Sequence, residues 1–119
     1  MTDELRLMRY NPEVVRIFFE NYHEFLTYVQ RGDPSHVEVW VDINDAITDA
    51  DLLDQELSIL YNYYVDYMSI EELTVKHGYT RRGVESVLRR TIVKITNVLS
   101  DNFYDVKDVK LRTKRRDNA

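Results

Sequence analysis

Apolar residues recur along this chain at helical spacing, and turn-forming residues punctuate them. Asn11-Pro12-Glu13 is a helix start, with Asn as cap, Pro at the first helical position and Glu in the first turn. Val15, Phe18, Tyr22, Phe25 and Val29 then follow at alternating steps of three and four. Val14, Ile17 and Leu26 widen the stripe, so one helix is predicted from residue 12 to about residue 31. Gly32-Asp33-Pro34 ends it. A stripe this wide serves as a core face or as the seam of a homodimer.

Residues 36–48 fit two patterns. Val37, Val39, Val41 and Ile43 alternate as in a strand, whereas Val37, Trp40, Val41, Asn44 and Ile47 share one helix face. No other segment alternates, and an unpaired strand leaves its backbone groups unmet, so a helix ending near Thr48 is expected. Asp49 or Asp51 is the expected cap of a further helix over about residues 51–66. Leu52, Leu53, Leu57, Leu60, Tyr61 and Tyr64 lie near one face of it, with Ile59 at the flank. The aromatic run that begins at Tyr61 and takes in Tyr67 suits buried rings whose hydroxyls find partners.

The most informative stretch is Ser69–Arg90. Ser69 and Glu72 have capping-box spacing, and Gly78 is placed to end a first helix in the left-handed conformation. Thr80 then caps a second helix, predicted to run to about Ser100. Val84, Val87, Leu88, Ile92, Ile95, Val98 and Leu99 form its apolar side, and Phe103 and Tyr104 are expected to pack where it ends. Arg82, Ser86 and Arg89 fall about 140–200° around the axis from Val84, with Glu85 and Arg90 flanking them. Val93 also falls on that polar side, which hints at contact with a partner or with the N-terminal helix. Gly83 lowers helix propensity by about 1 kcal/mol relative to Ala. Close backbone approach to DNA would account for it, and so would a tolerated imperfection.

The 119 residues suffice for a single domain. The predicted fold class is all-α: a small helical bundle with N-terminal helices over 11–66, a helix-turn-helix with a long last helix over 67–104, and a mobile basic tail over 105–119. Charge changes this picture. The first 75 residues hold 4 basic and 16 acidic side chains, a balance of −12, and the last 44 hold 12 basic and 5 acidic, a balance of +7; together they give the net charge of −5. Such a split points to a basic contact surface at one end, or to a basic tail that is merely solvated. Arg forks can pair with guanine O6 and N7, and Glu can accept from cytosine N4. Thr80, Arg81, Arg82, Glu85, Ser86 and Arg89 are therefore the candidate DNA-reading residues. Arg90, Lys94 and the tail residues Lys114, Arg115 and Arg116 are candidate phosphate contacts.

Other chemistry finds little footing. No cysteine is present, which excludes disulfides and thiolate metal sites and fits a reducing cytoplasm. His23, His36 and His77 have no ligand spacing to one another, and glycine occurs only at 32, 78 and 83, which forms no phosphate-binding loop. Glu71 and Glu72 sit at a helix start, where the macrodipole favours acids. No enzyme activity, cofactor or metal is expected. No apolar run approaches membrane-spanning length, and the N-terminus lacks the pattern of a signal peptide.

From Val41 to Leu99, about half the chain, the sequence resembles region 4 of sigma factors and the related helix-turn-helix of ArpU/RinA-type phage late-gene transcription regulators. The residues that carry this are the segment Val41–Ile47, Ile59-Leu60, Tyr64, Ser69–Leu73, Gly78-Tyr79-Thr80, Val84, Leu88-Arg89-Arg90 and Ile95. In that family a scaffold helix, here about 70–77, precedes a recognition helix, here about 80–90. The chain departs where the family usually has Gly (Tyr67), Ala (Thr74) and an apolar residue (His77). Thr74 predicts a slightly wider helix crossing, and His77 is expected to be partly exposed. The resemblance implies a bacterial or phage transcription regulator that binds double-stranded promoter DNA and can contact RNA polymerase. Two other classes fit the same pattern: the small subunit of a phage DNA-packaging terminase, and a protein-interaction module that kept the fold and lost DNA binding. A ring of about eight or more protomers distinguishes the first of these, and a flat duplex titration at low salt the second.

Overall fold

The computed structural model describes residues 10–111, and all of its regular structure is helical. Six α-helices run in order: α1 Pro12–Glu20, α2 Tyr22–Gln30, α3 Pro34–Asp49, α4 Asp54–Tyr64, α5 Ile70–His77 and α6 Arg81–Ser100, followed by a 3₁₀ turn at Val106–Asp108. Residues 112–119, with Lys114, Arg115 and Arg116, lie outside the described part.

The helix starts follow local chemistry. Asn11 Oδ1 accepts from the Val14 amide at 2.9 Å, and Pro12 occupies the first turn. Asp33 Oδ1 accepts from the His36 amide at 3.2 Å and starts α3. The segment of ambiguous pattern is thus a helix, as expected. Its core face is carried by Ile43 and Ala46, whereas Val41 is exposed.

Several expectations require correction. The single helix over 12–31 is two helices, broken at Asn21, whose backbone is non-helical (φ −115°, ψ 28°). Asn21 Nδ2 donates to the Ile17 carbonyl at 2.9 Å, the kind of side-chain bond that competes with helical continuation. Within α1 the buried face also differs from the expected stripe: Phe19 is fully buried and Ile17 is exposed. Neither Asp49 nor Asp51 caps α4. Asp49 ends α3, Asp51 adopts a left-handed φ of 52°, and α4 starts after Leu53. The Leu53 amide donates to Glu56 Oε1 at 2.9 Å, so a carboxylate in the first turn does the capping. The buried face of α4 is Glu56, Ile59, Leu60 and Tyr64, and Leu53 is exposed.

Helix α6 is the axis of the fold and packs against α1, α3, α4 and α5. Val84, Val87, Leu88, Ile92, Ile95 and Leu99 are buried as the pattern requires, but Val98 is exposed. From Thr91 onward burial extends around most of the helix and includes Val93, Thr96 and Ser100. The hydroxyls of Thr91, Thr96 and Ser100 donate to the carbonyls four residues earlier, which removes the penalty of burying them unpaired. Val93 is buried within the chain itself.

Beyond α6, Asn97 brackets Tyr104: its Oδ1 accepts from the Tyr104 amide at 2.7 Å and its Nδ2 donates to the Tyr104 carbonyl at 3.2 Å. Phe103, expected to pack, is 94% exposed. Val109 is buried in the core, so the body of the fold extends into the segment first assigned to the tail. On the other side of the bundle, Phe18 meets Phe19, Tyr22, Phe25 and Trp40 with ring centroids 4.9–6.0 Å apart. The stripe that suited a dimer seam therefore contributes to the core, with Val15 and Phe18 buried.

Candidate nucleic-acid interface

Helices α5 and α6 are joined by a tight turn whose chemistry was visible in the sequence. Ser69 Oγ accepts from the Glu72 amide at 3.1 Å, and Glu72 Oε1 accepts from the Ser69 amide at 2.9 Å. Gly78 takes the left-handed conformation, φ 74°. Thr80 Oγ1 accepts from the Gly83 amide at 3.0 Å and starts α6. A Cβ added at Gly83 would lie 3.2 Å from that capping oxygen and 3.5 Å from the Tyr79 ring. The close approach that Gly83 allows is thus to its own cap.

Ahead of α5, Tyr67 holds a left-handed φ of 57°. The resembled family usually has Gly at this position, and the backbone here has the conformation that Gly reaches most cheaply. Leu73, fully buried, and Ile70 fix α5 to the core. Thr74 Oγ1 donates to the Glu71 carbonyl at 2.6 Å, so its hydroxyl is satisfied within α5. His77 is half-buried between helices: Nδ1 lies 2.9 Å from Gln55 Nε2, and Nε2 lies 3.0 Å from Asn62 Oδ1. The neutral Nε2–H tautomer satisfies both contacts and links α5 to α4.

Burial, and then the Lys76 charge, push the His77 pKa below its usual 6.5. The unfolded chain consequently takes up this proton at a higher pH than the folded chain. This contribution to stability is complete above about pH 6.5 and is lost as pH falls from there toward the lower folded pKa. His77→Gln is expected to flatten the thermal-stability profile in that window. A profile that keeps its slope in the variant would refute the role of His77.

The charged residues of α6 sort into two groups. Arg81 pairs with Glu71 on α5, and its Nε lies 3.5 Å from Glu85 Oε1. Arg90 Nε donates to Glu56 Oε2 at 2.7 Å, and Lys94 Nζ donates to Glu56 Oε1 at 2.9 Å. Arg82 and Arg89 have no carboxylate partner among the described residues. Arg82 and Ser86 are exposed, Arg89 is half-buried, and Val84 and Leu88 on the opposite side are fully buried. Of the candidate residues, then, Thr80 is a cap, Arg81 and Glu85 form a local ion-pair network, Arg90 and Lys94 hold Glu56, and Arg82, Ser86 and Arg89 point outward.

Glu56 is the residue that sequence reasoning missed. Its side chain is 1% exposed. Burial acts to raise its pKa, but the Arg90 hydrogen bond, the Leu53 amide and Lys94 outweigh it and hold the carboxyl below its usual 4.5. One signal was available. Glu56 stands three and four residues before Ile59 and Leu60, at a core position of α4, where an acid demands a cationic partner.

Among the described residues no group of three or more His, Cys, Asp or Glu side chains could hold a metal ion, and no helix is long and apolar enough to cross a membrane. No family model, curated protein or solved structure matches the chain.

Proposed function

We propose that this chain is a DNA-binding transcription regulator of phage or bacterial type, which reads duplex DNA in the major groove with the N-terminal half of α6. The observation that carries the reading is the outward face of Arg82, Ser86 and Arg89. It combines two guanidinium forks that have no carboxylate partner among the described residues with a short polar side chain, on a helix whose other side is anchored in the core. A groove-bound helix needs that arrangement, because base edges are read by forks and short polar groups while the remaining cations set register on phosphates. The resemblance of residues 41–99 to the sigma region 4 type of helix-turn-helix agrees with it.

Selection of bound sites from random duplexes, with mass measured in solution, tests the proposal. A consensus sequence bound by a monomer or dimer is the expected result. A large ring of protomers would favour DNA packaging, and no duplex binding at low salt would favour a protein-interaction module; either would refute the regulatory reading. Replacing both Arg82 and Arg89 with Ala is expected to abolish sequence preference with little change in melting temperature, since neither side chain has an ion-pair partner among the described residues. Deletion of residues 112–119 is expected to weaken binding to all sequences alike.

A further inference from the structure

Resting on that reading, the geometry points to a specific ligand class: we infer that the outward face of α6 recognises duplexes carrying two guanines about three base-pair steps apart. Arg82 and Arg89 are seven residues apart on one continuous helix. Seven residues span about 10 Å along an α-helix axis at 1.5 Å each. Successive base pairs of duplex DNA are about 3.4 Å apart, so the two forks are spaced to meet base pairs three steps apart when α6 lies along the groove. Seven residues also return to within about 20° of the same direction, so both forks face one way. Both side chains lean toward the helix N-terminus by the same amount, which preserves their separation.

Each fork matches the O6 and N7 acceptors of guanine, which only a bidentate donor engages fully. Ser86 lies between them on the same face and is exposed. Its short hydroxyl accepts or donates, so the base pairs between the guanines are read weakly. The other ionisable residues of this half-helix are already engaged. Arg81 and Glu85 pair with each other, Arg81 also pairs with Glu71, and Arg90 is held by Glu56. With Glu85 in that ion pair, its carboxylate is drawn away from cytosine, and guanine recognition dominates through Arg82 and Arg89, which have no carboxylate partner among the described residues.

The test uses the full chain and a set of duplexes with two G·C pairs separated by one to six steps in an otherwise A·T background, titrated at one fixed salt concentration. Tightest binding at three steps is expected. Replacement of either guanine by 7-deazaguanine, which removes N7, is expected to weaken that complex roughly tenfold. Arg82→Lys and Arg89→Lys keep the charge and lose the fork. Each should abolish sensitivity to one of the two guanines and leave sensitivity to the other intact. Equal affinity at every spacing, or lysine variants that still sense both guanines, would overturn the inference while leaving DNA binding in place. No binding to any duplex at low salt would overturn the functional reading itself.

Discussion

Glu56→Ala is expected to destabilise the fold by about 3 kcal/mol. Glu56 is buried, accepts from Arg90, Lys94 and the Leu53 amide, and so joins the start of α4 to the middle of α6. Removal of one partner from a buried ion cluster commonly costs about 3–5 kcal/mol, because the remaining charges are left unpaired. Arg90 and Lys94 are 44% and 36% exposed and keep a route to water, which places the loss at the lower end. Loss of the amide acceptor at the α4 start adds to it. Urea unfolding at pH 7 measures the effect, and a loss under 1 kcal/mol would show that the cluster is energetically neutral. The pH dependence supplies a second signature. Because the folded pKa lies below 4.5, the carboxylate stabilises the fold above that value, and its contribution fades as pH falls through 4.5 toward the folded pKa. The Ala variant should lack this acid limb.

Leu73→Ala is expected to cost about 3 kcal/mol, with the damage concentrated in α5. Leu73 is fully buried, and Ile70 is the only other buried residue of α5. An eight-residue helix has almost no stability of its own in water, so its existence depends on those two anchors and on its capping box. Deletion of one anchor should allow α5 to open without unfolding the whole bundle. Amide hydrogen exchange should then accelerate over residues 70–77 far more than over 91–99, where α6 is buried on several sides. Uniform acceleration across both segments would mean that α5 opens only with the global transition.

Legibility in the sequence followed the range of the interactions. The Ser69–Glu72 box, the Gly78 turn and the Thr80 cap rest on bonds between residues three or four positions apart, and all three were visible as motifs. The burial of Val84, Leu88, Ile92 and Ile95 followed from periodicity alone. The break at Asn21 was hidden because asparagine is compatible with a helical pattern, and only its bond to the Ile17 carbonyl shows which alternative wins. The start of α4 was hidden because two aspartates offered plausible caps while Glu56 did the work from inside the helix. The division of the α6 cations was out of reach. Glu56 lies 34 positions from Arg90 and 38 from Lys94, and no local pattern signals a pairing over that distance. Arg82, Ser86 and Arg89 share one side of the helical wheel, but nothing local marks Arg82 and Arg89 as the α6 cations with no carboxylate partner among the described residues.

The continuity of α6 makes it a lever. Its 20 residues run from the outward arginines to a segment buried on several sides, with no glycine or proline after Gly83. Such a rod is about 30 Å long. A pivot of only 5° at the buried end would carry the far end through roughly 2–3 Å over that length, close to one base-pair step. Packing around Ile95 and Leu99 therefore sets the aim of side chains several helical turns away. Substitutions deep in the bundle can shift what the exposed face fits while every residue on that face stays the same.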